Sequence, residues 1–328
     1  LRFLTPVCAS LDGTSRITFA PGLARRPMQP LLDSLAQLGI SAELTAEYLD
    51  IHGGSVTAAE IELPGDISSQ YISGLLLAAP LLPAGLVVRV NTPAESREYL
   101  RMTVGCLRRF GVKIEYDSNM TGFRVARQPY HPADYLVEGD WSSASYFLGL
   151  GAAVGTLTVT GLNRDSFQAD KFMLNCLRRM GVRISVSGEE IIIDKSAPQA
   201  LVVDLNEAID LLPTIACLAA VAEGRSILTG LERARLKESD RVSAVADNLK
   251  RMGVAVEEEK DSLVITGGWP HGAVIDSFDD HRVAMAFAML AAVCGDTVIA
   301  GAECVNKTYP GFWDDFRKVG GEVRLLDE

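Results

Sequence analysis

One pattern returns five times along this chain, and it constrains the fold more than any other feature. Each copy is an amphipathic helical run closed by a glycine and followed by alternating, strand-like sequence. The first copy runs from Met28 to Gly39, and the next two end Leu107-Arg108-Arg109-Phe110-Gly111 and Leu177-Arg178-Arg179-Met180-Gly181. The last two end Leu249-Lys250-Arg251-Met252-Gly253 and Phe316-Arg317-Lys318-Val319-Gly320. Apolar residues recur at helical spacing, and each glycine suits a left-handed C-cap. The alternation in Val182-Arg183-Ile184-Ser185-Val186 that follows one of them is that of a strand. The glycines recur at close to seventy residues, whereas solenoid repeats have periods of about 20–50 residues. Each copy is therefore a supersecondary block rather than one turn of a solenoid.

A second helix type interleaves with the first. It opens on polar residues and continues almost wholly apolar: Ser68-Ser69-Gln70 before Tyr71 to Leu82, and Ser142-Ser143 before Ala144 to Val154. The others are Asp210 before Leu211 to Ala222, and Asp279-Asp280-His281-Arg282 before Val283 to Val293. A helix apolar on all sides has to be buried. The unit then reads strand, buried helix, strand, surface helix and strands, an α/β block in which a mixed sheet covers a helical core. At 328 residues the chain is long for one hydrophobic core, which points to two domains.

Composition narrows the function. A net charge of −11 argues against a nucleic-acid partner, which needs a surplus of Lys and Arg to neutralise phosphates. Any anionic substrate must be met by a local cationic pocket in an acidic protein, so the placement of each cation carries information. Six cysteines (Cys8, Cys106, Cys176, Cys217, Cys294 and Cys304) are scattered without a C-x-x-C pair, as expected of small core residues in a reducing compartment. Neither they nor the four histidines have the spacing of a metal site, so none is expected. The longest apolar stretch, Val283 to Cys294, is too short for a span of about 20 residues. With no signal peptide visible, the expected setting is cytoplasmic, without a membrane partner.

Four cations stand where a helix is expected to begin. Arg26 precedes Pro27, Arg241 follows the cap signal Ser239-Asp240, Arg282 lies in the first turn of the Val283–Val293 helix, and Lys307 precedes Tyr309-Pro310. A helix N-terminus is itself positive, which disfavours a cation there by about 0.3–1 kcal/mol. A bound anion would reverse that penalty by engaging the helix end and the side chain together. Each cation taken alone is also explained by solvation or by pairing with a neighbour such as Asp240 or Asp280. Ser68 and Ser69 repeat the theme after Pro64-Gly65-Asp66, with Gln70 next to them; N-capping explains one of the serines, and an anion site explains the triplet.

At these residues the chain resembles the EPSP synthase family of enolpyruvyl transferases, from its first residue to its last. Leu236-Lys237-Glu238-Ser239-Asp240-Arg241 is similar to the family's Lys-Glu-Ser/Thr-Asp-Arg signature, and Asp280-His281-Arg282-Val283-Ala284-Met285 to its Asp-His-Arg-x-Ala-Met motif. Gly65-Asp66-Ile67-Ser68-Ser69-Gln70 and Val137-Glu138-Gly139-Asp140-Trp141-Ser142-Ser143-Ala144 also match, in the family's order. The resemblance implies two domains, each of three βαβαββ units, closing over a cleft. Residues 1–138 would form the domain on the shikimate 3-phosphate side and 139–328 the second domain, with the crossover near Glu138 to Asp140. It implies a transferase that moves the enolpyruvyl group of phosphoenolpyruvate to the 5-hydroxyl of shikimate 3-phosphate, with no metal or organic cofactor.

Carried over by motif, Ser68, Ser69 and Ser96 would hold the shikimate phosphate, and Gln70 and Tyr99 would line the same half-site. Arg26, Arg241, Arg282 and Lys307 would bind the carboxylate and phosphate of phosphoenolpyruvate. Asp210 would take the proton of the 5-hydroxyl, and Glu238, beside Lys237, would protonate the methylene carbon. Read without the family, Asp210 is equally a helix cap, Lys237-Glu238 a solvated charge run, and Asp140 a hinge or capping residue. His281 either orients groups near the phosphate or is structural.

The chain departs from the pattern at three places. Arg233 stands where the family often has a substrate-contacting Asn, and Arg97-Glu98 follow Ser96 where many members have Lys-Pro. The family's early Lys-Ser…Arg cluster and Gly-x-x-Gly-Thr loop would precede Leu1, with Arg2 resembling the last residue of that loop. The expectation is a sixth, N-terminal unit, with the chain alone inactive until a complementary N-terminal segment is supplied. The competing readings are a UDP-N-acetylglucosamine enolpyruvyl transferase of the same fold, and a non-catalytic fragment.

Overall fold

The five glycines of the repeat (39, 111, 181, 253 and 320) each close a surface helix at φ between 77° and 97°. At Gly39 the glycine N–H donates to Ala36 O at 2.9 Å and the next N–H, of Ile40, to Leu35 O at 3.0 Å. The same pair recurs at the other four, for example Gly253 to Lys250 and Val254 to Leu249. This pair of hydrogen bonds is a Schellman cap, and it turns the chain into the next strand with orphan carbonyls satisfied.

The structure, a computed structural model, describes residues 1–24 and 26–326. The chain forms two units, Leu1–Val137 with Phe167–Ala169, and Glu138–Ser166 with Asp170–Glu328. In the first unit, α1 (Leu4–Ala9), β1 (Gly13–Thr18), α2 (Pro21–Ala24), α3 (Gln29–Gln37), β2 (Ser41–Leu44) and β3 (Tyr48–Gly53) make an antiparallel sheet ordered β1-β3-β2. The next block is β4 (Glu60–Leu63), α4 (Ser69–Ala78), β5 (Leu86–Val90), α5 (Arg97–Arg109), β6 (Glu115–Tyr116) and β7 (Gly122–Val125). Its sheet runs β4-β5-β7-β6, with β4 and β5 parallel and the rest antiparallel. Leu31, Leu35, Leu49, Ile51, Tyr71 and Ile72, from both blocks, form part of the first unit's core. Burying each such side chain is worth about 1.5–3 kcal/mol.

The turns leaving β4 and β5 are stitched together: Gly65 N donates to Thr92 Oγ1 at 2.8 Å, and Glu95 N to Gly65 O at 3.1 Å. A Cβ on Gly65 would stand 2.9 Å from Ala94 Cα, so only glycine permits this approach. The starts of α4 and α5 are thereby held at the same end of the sheet.

The second unit opens with α6 (Trp141–Ala153), β8 (Leu157–Val159), α7 (Met173–Arg179), β9 (Ile184–Ser187) and β10 (Glu190–Ile193), in the sheet β8-β10-β9. Next come β11 (Val202–Asp204), α8 (Leu212–Val221), β12 (Arg225–Thr229), α9 (Arg241–Arg251), β13 (Ala255–Glu258) and β14 (Ser262–Thr266), ordered β11-β12-β14-β13. The last block is β15 (Val274–Asp276), α10 (His281–Cys294), β16 (Val298–Ala300) and α11 (Phe312–Lys318). β11 lies parallel to β12, and β15 to β16. The apolar helices α6, α8 and α10 pack on one another, tied by Ser145 Oγ and Thr214 Oγ1 at 3.2 Å. A Cβ on Gly149 of α6 would meet Met289 Sδ of α10 at 2.3 Å, a measure of how closely these helices approach.

The structure corrects four local expectations. No strand precedes α6: the stretch 129–140 joins no ladder. The helix expected to open at Pro27 begins at Gln29 with Pro30 in its first turn, leaving Arg26 three residues ahead. Pro27 lies outside the helix, and its carbonyl accepts bonds from Arg2 and Tyr71. Lys307 ends the 3-10 turn Ala302–Lys307, five residues before α11 begins. Asp210 lies in the 3-10 turn Asn206–Leu211, and Leu211 is the N-cap of α8. Pro213, in the first turn, has no N–H that would need a capping acceptor, and the N-cap makes no side-chain cap bond, so Asp210 is not used as a cap.

Candidate active site

In the second unit the carboxyl ends of parallel strands deliver the charged motifs to one place. Asp210 follows β11, Lys237 to Arg241 follow β12, and Asp280 to Arg282 follow β15. In open α/β sheets the region beyond the strands' carboxyl ends is where ligands bind.

Arg241 is the hub. Its side chain is 1% exposed, with Nε on Asp280 Oδ2 at 2.7 Å and Nη1 on Asp210 Oδ1 at 2.6 Å. Nη2 donates to Glu238 and, at 3.4 Å, to Asp280 Oδ1. Most of the guanidinium's five donors are thus committed to carboxylates, and Arg241 serves first to hold Asp210 and Glu238. Asp210 also faces Lys237 Nζ at 3.4 Å and Arg282 Nη2 at 3.1 Å. Burial would raise the Asp210 carboxyl, but Arg282, Lys237 and Arg241 hold it well below the usual carboxylate range. The Lys237 ammonium is pushed down by burial, with Asp210 opposing and Arg241 and Arg282 adding to the shift.

Asp280 caps α10 through Arg282 N at 2.9 Å and accepts Ser239 Oγ at 3.0 Å. Burial raises its carboxyl, but Arg241 outweighs this and lowers it. The neighbouring His281 is buried, and burial together with the Arg282 charge pushes its imidazole down to about 4. Lys307 joins a different contact, with Asp279 O at 2.7 Å and Asp279 Oδ2 at 2.6 Å, and is 43% exposed. Phe278 and Asp279, just ahead of the α10 cap, both take positive φ, 52° and 56°. Such strain gathers at functional sites.

The first unit holds the polar set. Ser68 caps α4, accepting from Gln70 N, and Ser69 opens the helix. Arg2 Nη1 donates to Ser68 Oγ and to Gln70 Oε1, each at 3.1 Å. Arg2, Arg26 and Gln70 line one cavity of about 180 Å³ together with Leu1, Phe3, Leu23 and Met28. Ser96 is the buried N-cap residue of α5 at φ 53°, without a side-chain cap bond, and Tyr99 sits in the first turn of α5. α4 and α5 touch through Ser73 Oγ and Thr103 Oγ1 at 2.7 Å.

Arg233 turns its guanidinium onto Asn206, with Nη2 at 3.2 Å from Oδ1, and Glu98 pairs with Arg101. Asp140 caps α6 through Ser142 N at 3.0 Å and Ser143 N at 3.2 Å. Sequence reasoning did not single out Asp280 as a site residue, although it stands inside the Asp-His-Arg motif with the look of a helix cap. It also left Arg2 out of the polar set.

Comparison with known proteins fits this architecture. Solved structures with the same fold include the EPSP synthase of Acinetobacter baumannii, at TM-score 0.79 and 25% identity, covering 99% of this chain and 78% of that one. The enolpyruvyl transferase NikO of Streptomyces tendae matches at TM-score 0.78 and 21% identity, covering 97% of this chain and 76% of that one. The class is therefore that of the two-domain enolpyruvyl transferase fold. The sequence model of the family described as EPSP synthase (3-phosphoshikimate 1-carboxyvinyltransferase) matches residues 1–316, and the chain belongs to that family. A 3-phosphoshikimate 1-carboxyvinyltransferase of Dehalococcoides mccartyi is 46% identical over 323 residues, 98% of this chain and 77% of the relative. The Methanocaldococcus jannaschii protein of the same name is 36% identical over 336 residues, 99% of this chain and 78% of the relative. Among the described residues no helix is long and apolar enough to cross a membrane.

Proposed function

We propose that this chain carries out the 3-phosphoshikimate 1-carboxyvinyltransferase reaction, joining phosphoenolpyruvate to shikimate 3-phosphate with release of phosphate. The observation that carries the reading is that Arg241 donates at once to Asp210 and Glu238, carboxylates supplied by different strands. Two carboxylates fixed by one buried cation are suited to dividing the proton work of an addition.

In this reading Glu238 protonates the methylene carbon of phosphoenolpyruvate while the 5-hydroxyl oxygen attacks the adjacent carbon. Asp210 takes the hydroxyl proton. The tetrahedral adduct then loses phosphate and one methyl proton, which restores the vinyl group. Arg282 and Lys307, with Arg241 and Lys237 behind them, meet the carboxylate and phosphate of the donor, and His281 stays neutral beside them. Ser68, Ser69, Gln70, Ser96 and Tyr99 take shikimate 3-phosphate, with Arg26 as a further anion contact. Asp210 is a weak base while three cations face it. An anion docking on Arg282 and Lys237 offsets their charge and raises the proton affinity of Asp210, so donor binding itself activates the base.

The test is to supply the chain, together with a complementary N-terminal segment, with phosphoenolpyruvate and shikimate 3-phosphate, measure phosphate release and identify the enolpyruvyl ether by mass. UDP-N-acetylglucosamine serves as the competing acceptor. Phosphate release with that acceptor, or with neither, overturns the reading.

A further inference from the structure

Asp170 lies in the 3-10 turn Ala169–Phe172 ahead of α7 and is 1% exposed. Its Oδ2 accepts a hydrogen bond from Ser142 Oγ, in the first turn of α6. Its Oδ1 is buried and has no hydrogen-bond partner among the described residues. A buried carboxylate oxygen without a donor is costly, and an Asn would satisfy Ser142 equally well. The acid stands there at a cost to the fold, which points to a use for its charge.

α6, whose Ser142 anchors Asp170, packs against both the 3-10 turn that carries Asp210 and the helix α10 that carries Arg282, so the charges that bear on Asp170 are Asp210, Arg282 and, at the start of α6, Asp140. Two of these belong to the ion cluster. Burial and then Asp210 push the Asp170 carboxyl up to about 6, against Arg282 and the Ser142 bond. It is therefore ionised at neutral pH and protonated in mild acid.

We propose that Asp170 is a positioning residue for the transfer, whose buried carboxyl, anchored by Ser142, sets the charge that Asp210 and Arg282 experience. The inference rests on the transferase reading above and extends it to a group with no substrate contact assigned. Ionised, Asp170 repels the charge on Asp210 and so makes it a stronger base. The same charge offsets Arg282, loosens a bound anion and favours phosphate departure. Without it, Asp210 becomes a weaker base and the anion is held more tightly.

The experiment compares the wild-type chain with Asp170→Asn and Ser142→Ala. Infrared difference spectra across pH should show one buried carboxyl protonating near pH 6 in the wild type. That band should be absent in Asp170→Asn and should appear at higher pH in Ser142→Ala, which lacks the bond that lowers it. With both substrates at pH 7.5, Asp170→Asn should lower KM for phosphoenolpyruvate and kcat together, each about three- to tenfold. Both differences should close below about pH 5, where the wild-type group is also neutral. A residue that only supports the fold would reduce activity evenly at every pH and leave KM unchanged, which would overturn the proposal. So would a carboxyl band that is unaltered in Asp170→Asn. Absence of turnover in the wild-type chain with the complementary N-terminal segment present refutes the transferase reading, and the infrared band still decides the state of Asp170.

Discussion

Arg241 Nε donates to Asp280 Oδ2 at 2.7 Å, and neither side chain is more than 1% exposed. A desolvated pair of this kind is strongly destabilising to break, because the remaining charge is left buried. Asp280→Asn should therefore cost about 3–5 kcal/mol in chemical denaturation. Asp240 is the control: it too caps a helix, but its side chain is 42% exposed and Asn is an equally good cap. Asp240→Asn should cost less than about 1 kcal/mol. Equal losses at the two positions would remove Asp280 as the anchor of the hub.

The two carboxylates on Arg241 should separate by readout. Asp210→Asn keeps the shape of the site and removes its base, so binding should persist while turnover falls about 10²–10⁴-fold. Glu238→Gln should slow exchange of the methylene protons of phosphoenolpyruvate with solvent. Normal turnover in the first variant, or unchanged exchange in the second, would refute the role assigned to that residue.

The repeat was legible because its signals are local. Caps, helical spacing and the glycine at each helix end are read within a few residues, and all five glycines take the left-handed conformation. Arg241 and Arg282 were found at helix starts because a cation there violates the helix dipole. Arg26, Lys307 and Asp210 stand one to three residues further from their helix starts than the sequence assigned, since proline near a helix start fixes a boundary only loosely. Asp280 and Asp170 were missed for another reason. Each acts through a partner at least 28 residues distant, Arg241 for one and Ser142 for the other, and pairing of that kind leaves no periodic trace.

His281 gives the fold an acid-side sensitivity. Burial and Arg282 hold its imidazole down to about 4, against the ordinary 6.5 expected of the unfolded chain. Between those values the unfolded chain binds the extra proton, so this group's contribution is complete above about pH 6.5 and is lost as pH falls towards 4. The size is about 2–3 kcal/mol. Asp170 has the opposite sign, because its raised carboxyl costs stability as pH rises from 3.8 to about 6. In urea titrations between pH 7 and pH 4, His281→Gln should flatten the acid-side loss, and Asp170→Asn should stabilise the chain at pH 7 more than at pH 4. An unchanged pH slope in His281→Gln would mean that the imidazole is charged in the folded state.

The cap glycines differ in what surrounds them, which separates backbone strain from crowding. At Gly320 (φ 97°) a Cβ would meet nothing within 4 Å, so Gly320→Ala bears only the strain of a left-handed Ala, about 1 kcal/mol. At Gly111 (φ 81°) the same Cβ would stand 2.6 Å from His131 Cδ2 and 3.2 Å from its Cβ. The backbone of His131 is fixed by its N–H to Phe110 O at 2.9 Å, so the ring must rotate away to make room. Gly111→Ala should therefore cost about 2–3 kcal/mol, and the double variant with His131→Ala should recover the difference between the two sites. Thermal denaturation of the variants measures it. Equal costs at 111 and 320 would show that His131 yields without resistance, leaving the backbone conformation alone to require glycine at these helix ends.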